Sequence, residues 1–531
     1  MRVVYFRAGR KAAFASTVRL LALAGAIAIV SFAASPRTSD GSASPPLVME
    51  ATRSDDKITL RIGIAAEPTR LDPHDASDAP SSMINFHIYD RLVELNEEME
   101  PTPSLATRWS RNERGDVWTL ELRPGVVFHD GTPLDARTVK ASFDRLLDPR
   151  LGLARRSVIS GFVREVVVRD ALTVEFRLYE PVAPFLQVLA HDALGIVATN
   201  GTEPSTPAGT GPFRLGEWIP GTRLVLEAFE AHWRGAPAVD RLVFLSIPTA
   251  SSRAIMLETG EIDVAFPIEP VHVASVDQSP EVVVETSATQ RLVYLALNMN
   301  HPPFNEKEAR RLASRAIDRA SIARHLLFSL ANPAWVPIAE GTWGYRAVTT
   351  PFDPHSGQSE IERSGSNRPR VSLWSPAGRY PQDRAVAQAV GAFLELAGFD
   401  VEIRLFEWGA YLSSLRQSDG WNAAVLGWVP STGDADMALR PILYSGSRGN
   451  ISGYASPAFD GVIDEAAREL DPDRRLELYG KAVERIIEDV PIVPLYSPHL
   501  AFGRRRSVEG VRLFSTETID FRFAHVTGAS M

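Results

Sequence analysis

The stretch Ala423–Leu439, AAVLGWVPSTGDADMAL, decides how the rest of the chain is read. Its apolar start, Ala423 to Leu426, has the length and composition of a buried strand, and Gly427 and Trp428 end it before a polar loop carrying Ser431, Thr432, Asp434 and Asp436. Upstream, Val371 to Trp374 reads as a strand. Gln382 to Ala397 puts Val386, Val390, Phe393, Leu394 and Ala397 on one helical face and stops at Gly398. Phe399, Val401, Ile403 and Leu405 then alternate with Asp400, Glu402 and Arg404, a half-buried strand of period two. The sum is a βαβ unit feeding a further strand. In open α/β sheets ligands lie beyond the carboxyl ends of strands, where loop amides and helix N-termini point outward, so Trp428 and the acids after it are candidate binding residues. A second reading stands beside the first: Trp428 as core, and Asp434 or Asp436 as the cap of the next helix.

At 531 residues the chain exceeds one compact core and predicts two or three domains of roughly 100 to 200 residues each. Hydrophobic residues at 45% and charged residues at 23% describe a globular protein. A net charge of -9, with no cluster of Lys and Arg interleaved with aromatics, excludes a nucleic-acid binder. Without cysteine there is no disulfide, thiolate metal site, cysteine nucleophile or lipidated cysteine.

Residues 1–34 place Arg2, Arg7, Arg10, Lys11 and Arg19 before and at the start of an apolar run, Leu20 to Ala34, with small residues at its end. This predicts a secretory signal cleaved after Ala33 or a few residues beyond, the run being short of the ~20 residues of a spanning helix. Residues 35–56, rich in Ser, Pro, Asp and Gly, read as a flexible leader. From Ile58 the chain turns regular: Ile58, Leu60, Ile62 and Ile64 alternate as a strand, a helix is expected around Met83 to Leu92, and another from Thr138 to Leu147. Glu306 to Phe328 has an amphipathic pattern, as does Asp473 to Glu488. Gly209-Thr-Gly-Pro-Phe lacks the Lys-Ser/Thr of a phosphate loop and reads as a turn.

Four further words stand out: Trp118-Thr-Leu-Glu-Leu-Arg-Pro-Gly-Val-Val-Phe-His-Asp-Gly-Thr-Pro, Gly209-Thr-Gly-Pro-Phe-Arg-Leu-Gly-Glu-Trp, Trp233-Arg-Gly-Ala-Pro-Ala-Val-Asp and Gly260-Glu-Ile-Asp. In this order they resemble the family 5 solute-binding proteins of bacterial ABC importers, whose members bind oligopeptides, dipeptides, glutathione, nickel chelates and some opines. The resemblance implies an α/β, two-lobed periplasmic-binding-protein clamp of the type II, large peptide-binding class. Lobe I would span 57–288, with an inserted subdomain at about 80–200, and lobe II 289–493. The chain would return to lobe I over 494–531. Arg291 to Asn300 and Pro491 to Pro498 would be the crossing strands. It also implies a monomer that delivers a peptide-like ligand to inner-membrane permease subunits, with the ATPase on a separate chain and no cofactor. Residues 346–370 depart from the family's regular helix because Pro351, Pro354, Gly357, Gly365 and Pro369 interrupt them.

Enzyme readings find no support in motifs. No two His residues lie three or four apart, and neither a Gly-x-Ser-x-Gly elbow nor a Walker loop is present. A secreted hydrolase remains the alternative from another class, and a nickel-chelate or opine receptor the alternative within the family. For binding, Trp408 and Trp428 follow strands of the second lobe, where flat rings line clefts. Glu67 aligns with a ligand-touching turn of the family. Peptide binders of this family carry, three residues after the equivalent of Trp428, a carboxylate that pairs with the ligand ammonium; here that position is Ser431. The loop resembles the glutathione-binding branch instead, with Asp434 as a displaced anchor and Ser431 and Thr432 for ligand carboxylates.

Overall fold

The computed structural model describes residues 3–5, 57–198, 207–350, 352–353, 368–418 and 420–527. The export signal and leader expected over 1–34 and 35–56 lie, apart from residues 3–5, outside the described residues, as does most of 346–370.

Two α/β lobes are built on sheets that share one strand. In the first, Thr59–Ile64 is flanked on both sides by parallel strands, Arg241–Ser246 and Val264–Ile268, and Arg223–Ala228 and Phe213–Ile219 extend the sheet. Leu60, Ile62 and Ile64 are 1%, 0% and 3% exposed, so the period-two pattern reports the core-facing side. Inserted in this lobe is a four-stranded antiparallel sheet, Ala106–Arg111, Val117–Leu122, Thr173–Leu178 and Val163–Asp170. The helix Ala136–Leu147 covers it, started by a capping box in which the Asp135 carboxylate accepts from the Thr138 amide and the Thr138 hydroxyl accepts from the Asp135 amide.

The second lobe holds the βαβ unit as read: Arg370–Pro376, Asp383–Leu396 and Asp400–Phe406. Ala423–Trp428 lies between Arg370–Pro376, to which it is parallel, and the antiparallel Leu292–Leu297. A strand covered on both faces has no polar side, which is why Ala423 to Leu426 is an unbroken apolar run. Trp374 is core, 3% exposed. Ile492–Arg505 joins the lobes. Its first part pairs with Leu292–Leu297, Ala296 opposite Ile492, and its second with Val282–Ala288, from Ala288 opposite His499 to Val282 opposite Arg505.

Two helices differ from expectation. The first runs Ala79–Ile88 rather than from Met83 to Leu92, because the Asp78 side chain accepts from the Ser81 amide and starts it early, while Tyr89 turns extended. Asp90 and Arg91 thus fall beyond its end. The pattern from Glu306 to Phe328 is divided: Lys307–Ala316 is helical, Ile317 is extended, and Asp318 caps a new start at Arg319–Ser321. The buried Arg319 guanidinium ties the break down, donating to the carbonyls of Ser314, Ile317 and, on the shared strand, Pro494.

Candidate ligand-binding cleft

A cavity of about 600 Å³ opens between the lobes. Ser82, Phe86, Arg91, Glu94 and Asp192 line it from lobe I, and Arg379, Trp428 and Ser431 from lobe II. The lobes also touch away from the cavity wall: the Ala183 amide donates to the Ala467 carbonyl at 2.7 Å, and Arg468 pairs with Glu180 at 2.7 Å.

At the hinge side Arg291 grips Glu517 with both ends of its guanidinium, Nε to Oε1 at 2.6 Å and Nη2 to Oε2 at 2.5 Å. Burial disfavours the charge of Arg291, but Glu517 more than offsets this and raises its pKa. Glu517 holds this position with φ of 70°, in the left-handed region that a side chain disfavours, and Met99, also on the cavity wall, has φ of 61°. Next to Arg291 stands Arg379, exposed to the cleft, with its guanidinium 5.4 Å from the ring of Tyr380 and 5.3 Å from that of Trp408. Desolvation of the guanidinium by the surrounding cleft walls, and then the nearby Arg291 charge, lower its pKa even though the side chain as a whole stays exposed, and no described carboxylate forms an ion pair with it. Gly427 permits this arrangement, since a Cβ there would meet the Tyr380 ring at 2.8 Å.

The loop after Trp428 is stapled to the lobe. Trp343 donates its amide to the Gly433 carbonyl at 2.8 Å and accepts from the Ala435 amide at 2.9 Å. Asp434, 0% exposed, caps the helix Ala435–Leu443 through the Asp436 amide and takes Arg475 at 2.6 Å and the Tyr479 hydroxyl at 3.3 Å. Arg475 in turn lies 4.5 Å from the Trp343 ring.

Two of the residues singled out from sequence, Trp428 and Ser431, are on the cavity wall. The Trp428 indole also donates to the Met437 carbonyl at 2.7 Å. Trp408 is half-buried behind Arg379 and packs edge-on against Tyr380 at 6.1 Å. Glu67 faces elsewhere and accepts from the Gly221 amide at 2.8 Å. Thr432 is buried at 1% exposure, and Asp436 is engaged by Arg440 at 3.1 Å. Asp434, expected to offer its carboxylate to a ligand ammonium, is buried and off the cavity wall, its Oδ1 holding the ion pair and the helix cap and its Oδ2 without a partner among the described residues. Sequence reasoning passed over Arg91, Arg291, Arg379, Arg475 and Glu517. Arg379 had a usable signal, because it follows the carboxyl end of Arg370–Pro376, the parallel neighbour of the strand whose loop was singled out. Among the described residues no group of three His, Asp or Glu is placed to hold a metal ion.

A two-lobed clamp with a charged, aromatic-lined interlobe cavity is the architecture of a solute receptor. The sequence profile of the bacterial extracellular solute-binding proteins, family 5, matches residues 100–450, and the chain belongs to this family. Among curated proteins it is 26% identical over 468 residues to the glutathione-binding protein GsiB of Escherichia coli strain K12, covering 85% of this chain and 91% of that one. The structure of HbpA2 from Haemophilus parasuis superposes with a TM-score of 0.78 at 25% identity, covering 88% of this chain and 100% of that one. The periplasmic binding protein DppA from Helicobacter pylori, in complex with the peptide STSA, gives 0.75 at 27% identity, covering 89% and 99%.

Proposed function

We propose that this protein is the periplasmic, non-catalytic receptor of an ABC importer, a monomer that encloses a peptide-like solute, glutathione or a short peptide, and hands it to the permease. The lobe boundaries at 288/289 and 493/494 are part of this reading; the strand pairing supports the first, whereas along Ile492–Arg505 the partners stay those of lobe II as far as Pro498 and become those of lobe I from His499. One observation carries it above the rest: Arg379 presents to the cleft a guanidinium with no carboxylate partner among the described residues, between the Trp408 and Tyr380 rings and the loop of Trp428 and Ser431. Such a group takes a carboxylate through paired N–H donors, and the rings beside it suit variable side chains. The similarity to GsiB and to DppA supports a ligand with a free carboxylate.

Calorimetric titration of the exported chain with glutathione and short peptides tests this. A hydrogen bond to a charged group is worth roughly 1.5 to 3 kcal/mol, so Arg379→Gln should weaken binding by about tenfold or more. Release of cleaved product instead of stoichiometric retention would point to the hydrolase alternative and sink the receptor reading.

A further inference from the structure

The lobe I wall of the cleft holds a second cation in a different state from Arg379. Arg91 is 4% exposed and lines the cavity. Among the described residues its Nε has no hydrogen-bond partner and none forms an ion pair with its guanidinium, which lies 4.5 Å from the Phe86 ring. The acids around it are already engaged. Glu94 is held by Arg522 at 2.9 Å and Arg234 at 3.0 Å, Asp90 by the Trp233 indole at 2.8 Å and the Thr210 hydroxyl at 3.1 Å, and Asp192 by His191 at 2.6 Å. Burial lowers the pKa of Arg91 despite these neighbours. A buried guanidinium without a paired anion is costly to keep, and it is retained where something other than the fold uses it.

We infer that Arg91 is an anion anchor on lobe I, acting with Arg379 on lobe II, so that the solute this cleft selects carries two separated carboxylates and closes the clamp by bridging them. This rests on the receptor reading and narrows its ligand class from peptides in general to dicarboxylate amino-acid conjugates. The charges agree with it. Five arginines line the cavity, Arg91, Arg155, Arg291, Arg379 and Arg522, against four carboxylates, in a chain where acids outnumber Lys and Arg by 65 to 56.

The test is titration of the wild type, Arg91→Gln and Arg91→Lys with glutathione, glutathione esterified at its glycine carboxylate, tri-alanine and pimelate. Wild type should prefer glutathione over its monoester by about tenfold or more. In Arg91→Gln that preference should collapse to about twofold, and Arg91→Lys should retain part of it. Unliganded Arg91→Gln should melt no lower than wild type, since a purely structural arginine would lower it. Equal binding of glutathione and monoester by wild type, or an undiminished preference in Arg91→Gln, overturns the assignment. Tri-alanine binding without either dicarboxylate also overturns it but leaves the receptor reading intact, whereas pimelate binding lost in Arg91→Gln, with no peptide bound, upholds Arg91 and refutes the peptide ligand.

Discussion

Replacing Arg475 by Met removes one half of the ion pair beneath the binding loop and leaves Asp434, 0% exposed, among apolar groups and the Tyr479 hydroxyl. Two estimates of the cost agree. Breaking a buried pair by deleting one partner costs roughly 3 to 5 kcal/mol. Alternatively Asp434 neutralises itself, and protonating at pH 7 a carboxyl whose unfolded pKa is ~3.9 costs about 4 kcal/mol. The second route sets the pH dependence. Burial already raises the folded-state pKa of Asp434 with Arg475 in place, and losing Arg475 raises it further above the unfolded value, so the folded form binds the extra proton, and the deficit is smallest near pH 4 and grows toward neutrality. Urea denaturation followed by circular dichroism at pH 5 and pH 7 measures both quantities. The double variant Asp434→Asn/Arg475→Met should recover much of the loss, because neither charge remains to be buried. A deficit under about 1 kcal/mol at pH 7, or one that does not change with pH, would refute the claim that this pair holds the loop.

Stability of the wild type should fall on mild acidification. Burial pushes His87 down to about 4, with its Nδ1 bonded to the Met83 carbonyl and its Nε2 accepting from the Phe521 amide. A native pKa depressed below the unfolded ~6.5 contributes stability that is present above pH 6.5 and is lost as pH falls toward 4, at up to about 1.4 kcal/mol per pH unit. Denaturation at pH 7, 6 and 5 measures it, and a flat profile would contradict the buried neutral histidine. The clamp should also open without ligand: the pair of Arg468 and Glu180 that links the lobes is 49% and 53% exposed, and such pairs contribute ~0 to 1 kcal/mol. Small-angle scattering should therefore give a larger radius for the free protein than for the glutathione-saturated one, and identical profiles would argue against ligand-driven closure.

What could be read from sequence was whatever repeats along the chain. Leu60, Ile62 and Ile64, or Val386, Val390 and Leu394, meet the same environment at each recurrence, so period alone places their elements. Helix starts were harder. Asp78 and Asp318 act as caps through local side-chain contacts that a periodicity reading overlooks. The cleft was least legible because its charges are sorted by long-range pairing. Asp434 looks free until Arg475, 41 positions on, takes it, and Arg91 looks like a surface arginine until Arg522 and Arg234 claim Glu94 first. Arginines are abundant in this chain, and which of them lacks a carboxylate is decided only in three dimensions.

The strand common to both sheets, Ile492–Arg505, comes near the end of the chain. Synthesis therefore delivers two strands that pair with it, Leu292–Leu297 and Val282–Ala288, some two hundred residues before their common partner exists. Neither lobe can finish its sheet until the ribosome has nearly finished the protein. Closing such distant pairings is slow, so a nascent or just-released chain stays unfolded for longer than one built from local contacts. In the export proposed above, that delay keeps the chain fit for passage through the membrane, and the step that completes the clamp is deferred to the far side.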